Sequence, residues 1–398
     1  MSSKYKKLTQ RFLGNIVRVR FGWKKQLTKV LKFFYFLVSF VIEIVGDVLF
    51  IWKRHSLGIA LLENPKILIV KIDQFGDVLF STFLIPLIKK QYPNARIDYV
   101  VNPKTEVLLQ KNPHIERVFH WDDIALRFVL GREKSVSRKS FLSAIVGIIK
   151  TVRAIRRERY DVVINTRAYI PSSNIWWKLV CPKQLIAFDI SEHSFLVDRT
   201  VSYDFYAEEW VNYLKLIEPL IDIARADFAP EFYHYAQTEI PTERFVVVAP
   251  VSFDVERQWD KEKWRNLIAR LRLRGFSVVL SGITSHTAYL KKISEGFEED
   301  GGVLIRTDLS IPQLAYMTRK SELVIGIDSF PMHLGLAVGK HIVCVVNERA
   351  YYVPHLSKKL WSIDARCMIP QTPFSHIYSI TASVQEVIDD LEKNELLA

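Results

Sequence analysis

Asp77 closes the stretch Asp73-Gln-Phe-Gly76-Asp77, directly after the apolar run at residues 66–71. A carboxylate beyond a strand end, where a helix begins, can act as a general base toward a hydroxyl. It can equally be a plain helix cap, and Gly76 beside it permits close backbone approach or a positive φ. About 250 residues later the chain reads Asp328-Ser-Phe-Pro-Met-His333-Leu. Ser329 is placed to open a helix, with Pro331 in its first turn. The free N–H groups and dipole of such a helix start favour a diphosphate, and His333 lies within reach of the same anion. Taken alone, Asp328 is as readily a turn residue and His333 a core histidine. A third loop, after the strand at 245–249, carries Arg257 and Trp259. The arginine fork suits a phosphate, although a solvated surface arginine fits as well. Gly282 and Thr284 follow a further strand, where a ribose or base would lie.

Elements that place such turns together are legible along the chain. Short, nearly all-apolar runs at 66–71, 96–101, 160–165, 245–249, 277–281, 322–327 and 341–346 have the composition of strands buried in a parallel sheet. Helices are expected between them at 78–91, 141–157, 261–274 and 329–338, and a last amphipathic helix at about 383–397. This alternation predicts an α/β protein with two Rossmann-like domains facing a cleft, since ligands bind beyond the carboxyl ends of parallel strands. The expected divisions are 1–62, 63–228, 229–380 and 381–398, with the looser stretch around 222–242 between the two sheets.

Length and composition support this reading. The 398 residues are 49% apolar and 25% charged, which excludes a mainly disordered chain. Three cysteines are too few and too scattered for a disulfide framework or a zinc ribbon. There is no P-loop, no Gly-x-Gly-x-x-Gly, and no His-x-x-x-His pair. The net charge of +12 is concentrated in two places. Residues 1–32 hold ten Lys/Arg and no acid, and residues 127–159 hold ten more against Glu133 and Glu158. Nucleic acid is not an expected partner, because the basic residues sit in no recognisable binding module.

Residues 33–52 form an apolar run interrupted by Ser39, Glu43, Gly46 and Asp47. Ser39, Glu43 and Asp47 share one helical face. Two carboxylates in mid-bilayer would each cost about 2.5–3.5 kcal/mol. A helix lying in the membrane plane, drawn down by the basic tail before it, is therefore the expectation.

In this order and spacing, the turns resemble glycosyltransferase family 9, the bacterial heptosyltransferases of the lipopolysaccharide core. Gly76-Asp77, Pro86 and Tyr92-Pro93 carry the first half of the resemblance. Asp328, Ser329, Pro331, His333 and Leu334 carry the second, with Phe330 where the family motif has Gly. The resemblance implies a GT-B fold with acceptor in the N-terminal half and nucleotide sugar in the C-terminal half. It implies inverting transfer without a bound metal or cofactor. Asp77 would be the general base, and Arg257, the helix start at Ser329 and His333 would stabilise the leaving diphosphate. Trp259, Gly282, Thr284, Asp328 and Pro331 complete the expected donor site. Gly76, Arg127, Arg132 and Arg167 are expected on the acceptor side, the arginines facing carboxylates and phosphates of an anionic glycan. The partners implied are ADP-heptose, a lipid-linked glycan acceptor and the membrane surface, at the cytoplasmic face of a bacterial inner membrane.

Overall fold

The computed structural model describes residues 63–122, 138–167, 174–204, 207, 209–221, 230–252, 257–297, 301–346 and 375–397. The basic tail, the run at 33–52, Arg127 and Arg132 lie outside them. Among the described residues no helix is long and apolar enough to cross a membrane.

The described residues are built around two six-stranded sheets. The first is built from β1 (Lys66–Val70), β2 (Arg96–Val101), β3 (Ile115–His120), β4 (Val162–Asn165), β5 (Gln184–Phe188) and β6 (Arg199–Val201), in the order β3-β2-β1-β4-β5-β6. The second holds β7 (Phe245–Ala249), β8 (Ser277–Ser281), β9 (Val303–Arg306), β10 (Leu323–Ile327), β11 (His341–Val346) and β12 (Ser375–Ser379), in the order β12-β11-β10-β7-β8-β9. Every pairing is parallel. Counted from its own first strand, each sheet has the same winding, so the chain repeats one architecture. The order reverses between β1 and β4 and again between β7 and β10. Those two crevices are where an open parallel sheet binds ligands.

Ten α-helices are described: α1 (Phe75–Ser81), α2 (Leu84–Gln91), α3 (Arg138–Glu158), α4 (Asn174–Leu179), α5 (Glu209–Ile217), α6 (Lys261–Leu273), α7 (Thr287–Ser294), α8 (Ile311–Lys320), α9 (Phe330–Ala337) and α10 (Val384–Lys393). The single helix expected at 78–91 is in fact two. Pro86 has no N–H for the Thr82 carbonyl and its ring crowds that carbonyl, so the chain breaks at Thr82–Phe83. At this break the Thr82 hydroxyl donates to the Leu79 carbonyl at 2.7 Å and accepts from the Glu231 N–H at 2.6 Å. The first helix also begins three residues earlier than expected, which moves Gly76 and Asp77 from a preceding turn into the first helical turn. The helix expected from 141 likewise begins at Arg138. The last helix starts at a capping box of Ser383 and Glu386. It lies on α6, with Val384, Val387, Ile388 and Leu391 in the second core.

Inside the first sheet, Asp98 is fully buried. It accepts from Arg96, from the Tyr160 hydroxyl and from the Arg117 backbone N–H, at the irregularity between β2 and β3. The same Arg96 pairs with Glu158 at 3.0 Å, which ties the end of α3 to the sheet.

The second crevice depends on Gly326. A Cβ there would lie 2.6 Å from the Ala249 carbonyl oxygen and 2.7 Å from Met332 Cε. The backbone carbonyl has no room to yield. Gly326→Ala should therefore destabilise the chain by about 1–3 kcal/mol, read as a lower melting temperature by calorimetry. An unchanged melt would show that the β7–β10 seam spreads freely.

Candidate active site

The first turns of α1 and α9 face each other across the two halves. Gly76 lies so close to His333 that an added Cβ would sit 2.9 Å from the imidazole Cδ2. Its φ is not positive, so this close approach is what the position requires. Phe75 meets Phe330 edge-on at 5.9 Å between centroids, and Phe80 lies 5.7 Å from the His333 ring. Leu334 and Ala315, from the second half, belong to the core of the first. The sequence motifs beyond β1 and β10 thus meet at one junction.

On the N-terminal side, Asp77 is the third residue of α1 and not its N-cap, which is Gln74. Its partly buried carboxylate accepts from the Gln74 backbone N–H. Burial raises its pKa, and Asp73 adds to the rise. Lys71 and Arg167 pull the other way without cancelling it. A carboxylate held above its ordinary range is a stronger base than a free one. Behind it stands a cluster that the motifs do not announce. Lys71 is buried, 3.0 Å from Asp73, and donates to the Tyr213 hydroxyl on α5. Burial opposes its charge, but Asp73, Tyr213 and Asp77 outweigh that and raise its pKa. Glu209, one turn before Tyr213, accepts from the Tyr203 hydroxyl at 2.5 Å, and burial raises its pKa. Arg167, expected to meet an acceptor anion, has its Nε 3.2 Å from Asp73. Part of its charge is therefore used inside the protein.

On the C-terminal side, Asp328 directly follows β10 and is buried, and burial pushes its pKa up to about 6. Arg257 opposes that rise, with Nη1 3.9 Å from the carboxylate and 3.4 Å from the Asp328 carbonyl. Asp77 adds to it, so the two carboxylates feel each other across the junction. Asp328 is thus more than a turn residue: it draws the Arg257 guanidinium to the start of α9. Ser329 takes the N-cap position, but its hydroxyl donates to the Ile327 carbonyl at 3.0 Å and caps nothing. Pro331 sits where no N–H is needed. His333 is buried, with its pKa lowered to about 4 by burial. At neutral pH it offers an N–H and not a charge. Its Nδ1 is buried without a hydrogen-bond partner.

Two expected donor residues, Trp259 and Gly282, serve packing, and a third, Thr284, stands at the expected strand end. Trp259 is buried against Trp264, rings perpendicular at 4.9 Å, and packs the second core in place of an open donor contact. Gly282 makes room for α7, since a Cβ would lie 3.1 Å from Leu290. Thr284 is exposed beyond the carboxyl end of β8. Among the described residues no group of three or more His, Cys, Asp or Glu side chains is arranged to hold a metal ion.

Two doubly wound sheets with acid–base groups on one side of their junction, and an arginine beside a helix start on the other, define a GT-B glycosyltransferase. A family model, glycosyltransferase family 9 (heptosyltransferase), matches residues 148–348, and the chain belongs to that family. It is 22% identical over 303 residues to lipopolysaccharide heptosyltransferase 3 of Escherichia coli, covering 72% of this chain and 84% of that one. Among solved structures, the fold is similar to a family 9 glycosyl transferase from Veillonella parvula, with a TM-score of 0.67, 16% identity and coverage of 84% and 97%. It is also similar to the E. coli heptosyltransferase WaaC solved with ADP, with a TM-score of 0.61, 17% identity and coverage of 84% and 99%.

Asp328 and His333 should leave opposite marks on stability. Asp328 holds its proton longer in the fold than in the unfolded chain. Its contribution therefore falls as pH rises from the ordinary carboxylate value, about 4, to about 6. His333 gives up its proton earlier in the fold, so its contribution grows from about pH 4 to the ordinary histidine value, about 6.5. Relative to wild type, Asp328→Asn should gain stability with rising pH and His333→Gln should gain it with falling pH. Each change should be about 2–3 kcal/mol over the window, measured by denaturant melts at pH 4 to 7. Parallel curves would overturn both assignments.

Proposed function

We propose that the protein transfers a heptose from ADP-heptose, with inversion and without a metal ion, onto the lipopolysaccharide core or a related cell-surface glycan. The observation that carries this reading is the meeting of Asp77 with the Arg257–Asp328–α9 group across the junction of the two sheets. The acceptor hydroxyl approaches Asp77, which takes its proton as the oxygen attacks the anomeric carbon. The bond to the nucleoside diphosphate breaks on the opposite face, and inversion follows. Charge growing on the diphosphate meets Arg257, the N–H groups at the start of α9 and the neutral His333 N–H. Such donors are effective because they are already in place. The family to which the chain belongs supports heptose as the sugar, and a relative solved with ADP supports adenine as the base. The acceptor is lipid-linked in this reading. The basic tail and the apolar run at 33–52 support a peripheral or monotopic position at the cytoplasmic face of the inner membrane.

Asp77→Asn should lower kcat by about 10²–10⁴-fold while ADP still raises the melting temperature, and EDTA should leave wild-type transfer unchanged. Full activity of Asp77→Asn would remove Asp77 from the mechanism. Greater stabilisation by UDP or GDP sugars than by ADP-heptose would keep the chemistry and change the donor.

Lys71 lowers the pKa of Asp77. Replacing it with Met should raise that pKa further, so the acid limb of the rate profile moves to higher pH. A profile of unchanged shape, with only a lower plateau, would show that Lys71 supports the fold alone.

A further inference from the structure

The basic segment at 127–159 is not consumed by the proposed chemistry, and the described part of it has a definite shape. Helix α3 turns Ala144, Ile148 and Ile155 inward. Its outer face carries Ile145, Val146 and Ile149 in the N-terminal half, and Lys150, Arg153 and Arg157 beyond them, all exposed. Helical spacing puts these six on one arc. Val146 is 50% exposed, large for an aliphatic side chain with no solvent role. Helix α4 packs beside α3 and adds exposed Ile175 and Leu179, the latter's carbonyl accepting from Arg156 at 3.5 Å. The only acid on the described part of α3, Glu158, is held by Arg96 and Arg117 and does not offset these cations.

The position of the patch matters as much as its composition. The Thr151 hydroxyl donates to the carbonyl of His120, the last residue of β3, at 3.0 Å. The residues of α3 before Thr151 therefore project past the carboxyl edge of the first sheet. That edge leads to Asp77 and Arg167. Helix α4 starts from the same edge, after β4. Isoleucines and a valine at the carboxyl edge of the sheet, with a row of cations behind them, have the composition of a face that inserts apolar side chains among lipid chains and sets its cations on phosphates.

We propose that this α3–α4 face docks on an anionic phospholipid bilayer and so sets the acceptor half of the site against the membrane surface. This deepens the membrane-bound acceptor of the proposed function and rests on it only for its purpose. The docking is separately measurable from sugar transfer. Charge complementarity selects this occupant: a second copy of the chain would bring the same cations against themselves.

The test uses the full chain with Val146→Cys carrying an environment-sensitive fluorophore, and with Cys181 and Cys367 changed to serine. Phosphatidylglycerol vesicles should shift the label emission to the blue, and phosphatidylcholine vesicles should not. Changing Lys150, Arg153 and Arg157 to alanine should weaken that response roughly fivefold for each cation removed. Transfer to a soluble acceptor fragment should remain intact in the same variants, which separates this proposal from the catalytic one. A label that stays in water while the chain sediments with anionic vesicles would place docking elsewhere and overturn the proposal. A label already in an apolar setting without lipid would overturn it too. In that case, dependence on protein concentration would identify a second copy as the cover, and independence would identify another part of the same chain.

Discussion

The close approach of α1 and α9 is the constraint on which the rest of the site depends. One residue without a side chain, Gly76, lets a buried histidine ring lie against the first turn of the opposing helix. With that contact in place, Asp77 and Asp328 come near enough to raise the cost of each other's charge. Without it, the two crevices would be two separate sheets with polar loops. The surrounding contacts are apolar and non-directional, with Phe75 on Phe330 and Leu334 in the opposing core. They favour the approach in general, while the missing Cβ decides its distance.

The charges at the junction follow from this geometry. Lys71, Asp73, Asp77, Arg167 and Glu209 are brought together with little water, an arrangement that costs stability unless each charge finds a partner. Lys71 and Arg167 share Asp73, and Tyr213 takes one donor of the ammonium. Asp77 receives a backbone N–H and is left with a raised pKa. Perturbed groups of this kind gather at functional sites because the field that destabilises them also makes them reactive. On the opposite side, Asp328 and His333 are displaced from their ordinary values in opposite directions by the same cause, burial.

Most interior strands of the two sheets are legible in the chain because a strand covered on both faces is largely apolar, as in KILIV, FVVVA and SVVLS; interior β5 (QLIAF) is the exception, absent from the expected runs. The edge strands are not legible in this way. β3, β6, β9 and β12 lie at the four sheet edges, and their partly exposed sequences (IERVFH, RTV, VLIR and SHIYS) carry at most three apolar residues in a row. The site divides in the same way. Asp77, Asp328, Arg257 and His333 follow interior strands, so turn position makes them candidates and the family motif singles them out. Tyr213 and Glu209 reach the same place from a helix some 140 residues beyond Lys71. No spacing within the sequence announces that meeting, which exists only once the sheet is wound. Trp259 misleads for the converse reason: a tryptophan next to a functional arginine is indistinguishable in sequence from one that fills the core beneath it.

Phe330 shows how a departure from a motif is absorbed. At this first position of α9, glycine would leave the helix start bare. The phenylalanine ring instead reaches Phe75 at the start of α1, so the added volume becomes a contact between the halves. An aromatic pair of this geometry is worth about 0.5–1.5 kcal/mol beyond its buried area. That is a modest addition to the apolar contacts that already join the halves here. The first residues of α1 and α9 therefore work as one unit. Gly76 and His333 set how near the two helices come, Asp77 and Asp328 place charge where they meet, and Phe75 with Phe330 adds an aromatic contact to the same approach.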